Sequence, residues 1–114
     1  MHNKESDMRQ LSKKYSVVLE NRDWNVSSYT DDGRVELSWL SPAGEDFLIC
    51  VHVENFPLEV YEYYVDFDVD EHIAMWIEAK KNGVNGVPDT RRLVHDAEAI
   101  DEELRELAEA LVKV

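Results

Sequence analysis

Apolar side chains recur along this chain at helical, then strand, then helical spacing. From Lys4 to Glu20 the apolar positions Met8, Leu11, Tyr15, Val18 and Leu19 recur at steps of three and four, with Arg9, Lys13 and Lys14 elsewhere on the surface, which predicts an amphipathic first helix. Three segments rich in β-branched and aromatic residues follow, Trp24 to Thr30, Arg34 to Leu40 and Asp46 to Val53. Asp31-Asp32-Gly33 and Ser41-Pro42-Ala43-Gly44-Glu45 separate them, and both are turn-forming, so the expectation is an antiparallel three-stranded meander. Val35, Leu37 and Trp39 alternate with Glu36 and Ser38, and Phe47, Ile49, Val51 and Val53 alternate with Leu48, Cys50 and His52, which gives the sheet one apolar face.

Pro57 suits the first turn of a helix on which Val60, Tyr61, Tyr64 and Val65 share helical spacing. Asp70 and Glu71 complement the dipole at the start of a further helix, whose inward face would be Ile73, Trp76 and Ile77 and which Asn82-Gly83 ends. After Val84-Asn85-Gly86-Val87-Pro88, Asp89 or Thr90 caps a last helix running nearly to Val114. Its residues Leu93, Ala97, Ile100, Leu104, Leu107 and Leu111 form a heptad seam, which serves either this chain's own core or a dimer. The fold expected is α+β in a single domain over residues 1–114: an N-terminal helix, a three-stranded antiparallel meander, then two or three helices packed on one sheet face.

Charge narrows the functional classes. The chain carries 25 acidic residues against 12 basic, a formal charge of −13 at pH 7. Between Arg34 and Lys80 there is no Lys or Arg, while Glu36, Glu45, Asp46, Glu54, Glu59, Glu62, Asp66, Asp68, Asp70, Glu71 and Glu78 all fall there. Such a surface repels phosphate backbones and anionic lipid, which argues against direct nucleic-acid or membrane binding and for a basic protein partner. No apolar run approaches the roughly 18 residues that span a bilayer, no signal-peptide core is visible, and the lone Cys50 has no internal disulfide partner, so the expected setting is cytoplasmic.

Candidate chemistry is sparse. The string Asp66-Phe67-Asp68-Val69-Asp70-Glu71 alternates carboxylates as a calcium loop does, but Glu71 and Ile77 stand where an EF-hand needs Gly and a carboxylate. His72 beside Asp70 and Glu71, and His95 beside Asp96, are formal acid–base or metal candidates without a supporting spacing motif. Cys50 among Leu48, Ile49 and Val51 suits a buried inert thiol, Trp39 and Trp76 suit the core, and Trp24 fits either the core or a binding anchor. The expectation is therefore no enzyme, no catalytic residue, no cofactor and no metal, with a metal site or enzyme centred on Asp66 to His72 as one alternative. What remains is the carboxylate field, supplied by Glu54 to Glu71 and by an outward last-helix side with Asp96, Glu98, Asp101, Glu102, Glu103, Glu106 and Glu109. Carboxylates spaced along rigid helices offer a basic groove a ladder of negative charge comparable to a duplex, with its charge about every 1.7 Å.

The strings Ser41-Pro42-Ala43-Gly44-Glu45-Asp46-Phe47, Val53-Glu54-Asn55-Phe56-Pro57, Asp66-Phe67-Asp68-Val69-Asp70-Glu71-His72-Ile73-Ala74-Met75-Trp76 and Gly83-Val84-Asn85-Gly86-Val87-Pro88 resemble a group of short acidic proteins of gut Firmicutes, their phages and mobile elements. The resemblance spans roughly residues 20–112, and the longer, more basic first helix departs from it. Genes of that size, charge and setting include anti-CRISPR proteins, so the resemblance implies inhibition of a host nuclease, such as Cas9, through its nucleic-acid channel in the host-cell cytoplasm. The partner contacts expected are Asp66, Asp68, Asp70 and Glu71 first, Glu102, Glu103 and Glu106 second, with Tyr61 or Tyr63 as packing anchors. A competing expectation is a regulatory interaction module of a mobile element, homodimeric through the heptad seam or an exposed sheet edge.

Overall fold

The computed structural model describes residues 10–80 and 89–114. Helix α1 (Lys13–Asn21) begins after Ser12, later than the Lys4 start the spacing suggests. Gln10 to Ser12 are not helical, and the expected turns before them lie outside the described residues. Tertiary contacts explain the late start: Leu11 is buried in the core and its N–H donates to the Tyr29 hydroxyl at 3.3 Å, which holds the chain extended up to Ser12. At the other end Asp23 takes the left-handed conformation (φ 64°), and Trp24 N–H returns to Leu19 O at 2.9 Å, closing the helix as a C-cap does.

Strands β1 (Asn25–Tyr29), β2 (Arg34–Leu40) and β3 (Asp46–His52) form the expected antiparallel meander in the order β1-β2-β3. Register places Val35 against Val51, Leu37 against Ile49 and Trp39 against Phe47, so the alternating apolar residues line one face together. Gly33 (φ 86°) and Gly44 (φ 89°) supply the left-handed positions that the two turns require. Helices α1 and α4 (Thr90–Val112) cover this inner face. The common core draws Leu19, Trp24, Val35, Leu37, Ile49, Val51, Phe56, Val60, Ile100, Leu104, Leu107 and Leu111 into one cluster. All six heptad positions, Leu93, Ala97, Ile100, Leu104, Leu107 and Leu111, are at most 1% exposed, so the seam is used up inside this fold.

Helix α2 (Phe56–Asp66) lies along the outer edge of β3, where the Tyr63 hydroxyl accepts the N–H of Cys50 (3.4 Å) and Glu59 Oε1 that of His52 (2.8 Å). Those side chains occupy an edge that would otherwise template another strand. Helix α3 (Val69–Lys80) follows after a tight corner and packs on α4. Trp24 is a core residue, stacked on Trp39 at 6.2 Å and edge-on to Phe47 at 6.5 Å. Trp76 is buried as expected, whereas Trp39 is only half-buried.

Further sequence expectations change. Cys50 is half-buried on the Leu48–Cys50–His52 face of β3, where Leu48 and His52 are exposed. Tyr61 and Val65 face solvent, because α2 turns Phe56 and Val60 inward instead. Ile77 is also exposed on α3, leaving Trp76 as that helix's buried anchor. The expected helix end at Asn82-Gly83 and the following loop to Pro88 lie outside the described residues.

Candidate partner-binding surface

The corner between α2 and α3 gathers the first set of acidic residues. Asp66 ends α2, Asp68 caps α3 by accepting the Glu71 N–H at 3.0 Å, and Asp70 and Glu71 occupy the first turn, where the helix dipole favours negative charge. All four side chains are exposed, and Glu62 lies one turn before Asp66. Among the described residues none of these five carboxylates forms an ion pair. Between the corner and the start of β3 runs a groove of about 240 Å³ lined by Phe47, Leu48, Tyr63, Asp66, Phe67 and Met75, with Asp68, Glu71 and His72 completing its wall. Tyr63 and Asp66 also line a second recess with Glu59 and Glu62.

His72 departs from the open acid–base role its neighbours suggest. Its ring sits among Phe67 (5.2 Å), Phe47 (5.9 Å) and Trp76 (6.3 Å), and its Nε2 meets Glu45 Oε1 at 3.0 Å. It thereby ties the first turn of α3 to the β2–β3 turn. Among the described residues no group of three or more His, Cys, Asp or Glu side chains is arranged to hold a metal ion.

The second acidic set, on α4, is differently placed. Glu103 accepts from Arg22 Nε and Nη2 at 2.9 Å each and from the Trp24 indole N–H at 2.8 Å, which makes it a brace between α4 and the end of α1. Glu106 accepts a further bond from Arg22 at 2.5 Å. Glu102 pairs with Arg105, which also reaches Glu109 at 3.0 Å. These contacts hold the Arg22 and Arg105 guanidiniums above their ordinary range and the Glu102 carboxyl below its own. Two cations thus partly neutralise the α4 set, and among the described residues no cation pairs with the corner set. Tyr61 and Tyr63 also part company: Tyr63 lines the acidic groove, while Tyr61 packs on Tyr64 (6.3 Å) beside Arg105 and Val112 on another side of α2.

Asp96 is not outward at all. It is 1% exposed, with Oδ2 accepting from Ser41 Oγ and Oδ1 from Ala43 N–H, both at 2.7 Å. Ser41 Oγ in turn accepts the Glu45 N–H at 3.0 Å. A single buried carboxylate therefore organises the turn from which Glu45 holds His72 and, through it, the start of α3. A short turn opposite an acid on the wrong side of an apolar seam is the only sequence trace of this network.

Asp101 is the one described carboxyl that burial, with help from the Glu102 charge, pushes above its ordinary range. Its ionised form is therefore less favourable folded than unfolded, so at neutral pH it costs stability, and the cost disappears as pH falls through its folded pKa. Asp101→Asn is expected to stabilise the protein at pH 7 by roughly a few tenths of a kcal/mol, since solvent screens a partly exposed group. Thermal melts of both proteins at pH 7 and at about pH 3, below the ordinary Asp range, should show that gain vanish in acid. A gain of equal size at both pH values would contradict the assignment.

No family model, curated protein or solved structure matches the chain. Among the described residues no helix is long and apolar enough to cross a membrane.

Proposed function

We propose that this protein is a non-enzymatic inhibitor that binds a basic protein surface, an anti-CRISPR-type protein that blocks the nucleic-acid site of a Cas9-type nuclease in the host-cell cytoplasm. The observation that carries the reading is the exposed corner set of Glu62, Asp66, Asp68, Asp70 and Glu71, which has no ion-pair partner among the described residues, whereas Glu102, Glu103, Glu106 and Glu109 on α4 do. Carboxylates held together at this corner with no described cation paired to them leave their field available to a partner, and the scaffold has already borne the repulsion of assembling them. Arg and Lys side chains that would otherwise meet phosphates are the groups such a face fits.

The test is a pull-down with Cas9, with and without guide RNA, followed by DNA competition over a salt series. Added salt should weaken the complex, and DNA and the protein should exclude each other. Binding that persists beside bound DNA would rule out blocking of the nucleic-acid site. The variant Asp66→Lys/Asp70→Lys/Glu71→Lys, with Asp68→Asn to keep the α3 cap, should bind at least about tenfold more weakly, a loss of 1.4 kcal/mol or more. Unchanged affinity in a folded variant would discard the corner.

A second reading, a homodimeric interaction module of a mobile element, finds its observation at β1. Asn25, Val26, Ser27 and Ser28 are exposed, the strand carries no charged residue, and among the described residues no other element pairs with its outer edge. The bulge between Val26 and Ser28 counts against edge pairing by twisting the ladder. Light scattering over a concentration series separates the two readings.

A further inference from the structure

The corner groove has a feature that ionic pairing alone does not require. Its lip carries Leu48 at 51% and Met75 at 62% exposure, two large apolar side chains open to water, and its floor is the edge of the buried Phe47 with Phe67 beside it. Around them stand Asp66, Asp68 and Glu71, and Tyr63 presents a ring that is also partly open. At about 240 Å³ the groove falls below the roughly 300 Å³ at which small-molecule pockets begin, and suits a side chain or two projected from a larger surface. A flexible thioether at the lip adapts to such an insertion. The acidic rim repels nucleic acid, anionic lipid and acidic peptide, and favours a cation.

Resting on the binding reading above, we propose that this groove receives a cationic amphipathic segment of a protein partner, one apolar side chain seated between Leu48, Tyr63 and Met75 and flanking Lys or Arg residues paired with Asp66, Asp68 and Glu71. The ionic pairs set encounter rate and salt sensitivity. The seated apolar side chain supplies affinity that salt does not remove.

Three synthetic helical peptides test this: one with Lys on one face and Leu on the other, one with every Leu replaced by Ser, and one with every Lys replaced by Glu. They are titrated into the isotope-labelled full chain, with affinity read by fluorescence anisotropy and location by chemical shift. The Lys/Leu peptide should bind with its largest shifts at Leu48, Tyr63 and Met75, the Lys/Ser peptide about tenfold or more weakly, and the Glu/Leu peptide not at all. Met75→Ser and Leu48→Ser alter exposed side chains, so they should leave the fold intact, weaken the Lys/Leu peptide several-fold and leave the Lys/Ser peptide unchanged. Equal affinity for the Lys/Leu and Lys/Ser peptides, or shifts confined to the Tyr61–Val112 side, would overturn the groove assignment while leaving the ionic reading standing. Failure of every cationic peptide to bind would overturn both.

Discussion

Leu104→Glu is expected to unfold the protein. Leu104 is fully buried at the middle of the α4 seam, within the cluster that also contains Leu37, Ile49, Val60 and Ile100. Truncation alone, as Leu104→Ala, removes side-chain transfer energy and leaves a cavity, a loss of about 2–5 kcal/mol. A carboxylate at the same site adds the cost of burying an unpaired charge, and the sum exceeds much of the 5–15 kcal/mol or so that holds a domain together. Loss of the far-ultraviolet helical signal and of cooperative melting is the expected readout. If Leu104→Glu stayed folded and merely halved the mass in light scattering, the seam would be a dimer interface and the packing described above would be wrong.

Asp96→Ala should cost about 3 kcal/mol, from two short hydrogen bonds to a charged acceptor at roughly 1.5–3 kcal/mol each, tempered by local relaxation. The reason lies less in the bonds lost than in the groups stranded. Ser41 is 4% exposed, and with the carboxylate gone its buried hydroxyl loses the acceptor it donates to, while the half-buried Ala43 N–H is left to solvent. For a domain of this size the melting temperature should drop on the order of 10 °C. Asp96→Asn retains an acceptor for one of the two donors, so it should recover part of the loss. Because Glu45 leaves the same turn to meet His72, the Ala variant should also shift the resonances of His72 and of the α3 first turn, well away from the substitution. Denaturant unfolding with wild-type stability would show that the turn satisfies itself without α4.

The degree to which the chain could be read in advance differs by element. The strands were legible to within a residue or two because alternation at Val35, Leu37 and Trp39 and at Phe47, Ile49 and Val51 is a one-dimensional property, and Gly33 and Gly44 stand where the turns need positive φ. Helix α4 was legible for the same reason, since its period is long enough to show a single stripe. On α2 the period was present but its phase was not: Val60 and Tyr64 share a stripe with either Phe56 or Tyr61, and only the position of β3 selects the former.

For the acidic residues, charge and number were legible, but local neutralisation was not. Glu102, Glu103 and Glu106 differ little from Asp66, Asp70 and Glu71 as letters, yet Arg22, 81 residues from Glu103, reaches the α4 set and no described cation reaches the corner. Glu103 is a brace because Trp24 and Arg22 arrive at it from the far side of the core, and Asp96 is buried because a turn 53 to 55 residues earlier lies on it.

By itself the sequence determined the element types, their order, the apolar faces and an acidic excess, because each depends on neighbours within a few positions or on plain counting. The tertiary structure decided which carboxylates are spent on internal cations and buried donors, which aromatic residues stay open, and that Leu48 and Met75 line one groove with the corner acids. Those outcomes depend on distances across the fold. An ion pair, a buried hydrogen bond or a groove exists only when groups remote in the chain are brought to within a few ångströms of each other, and no local pattern encodes that meeting.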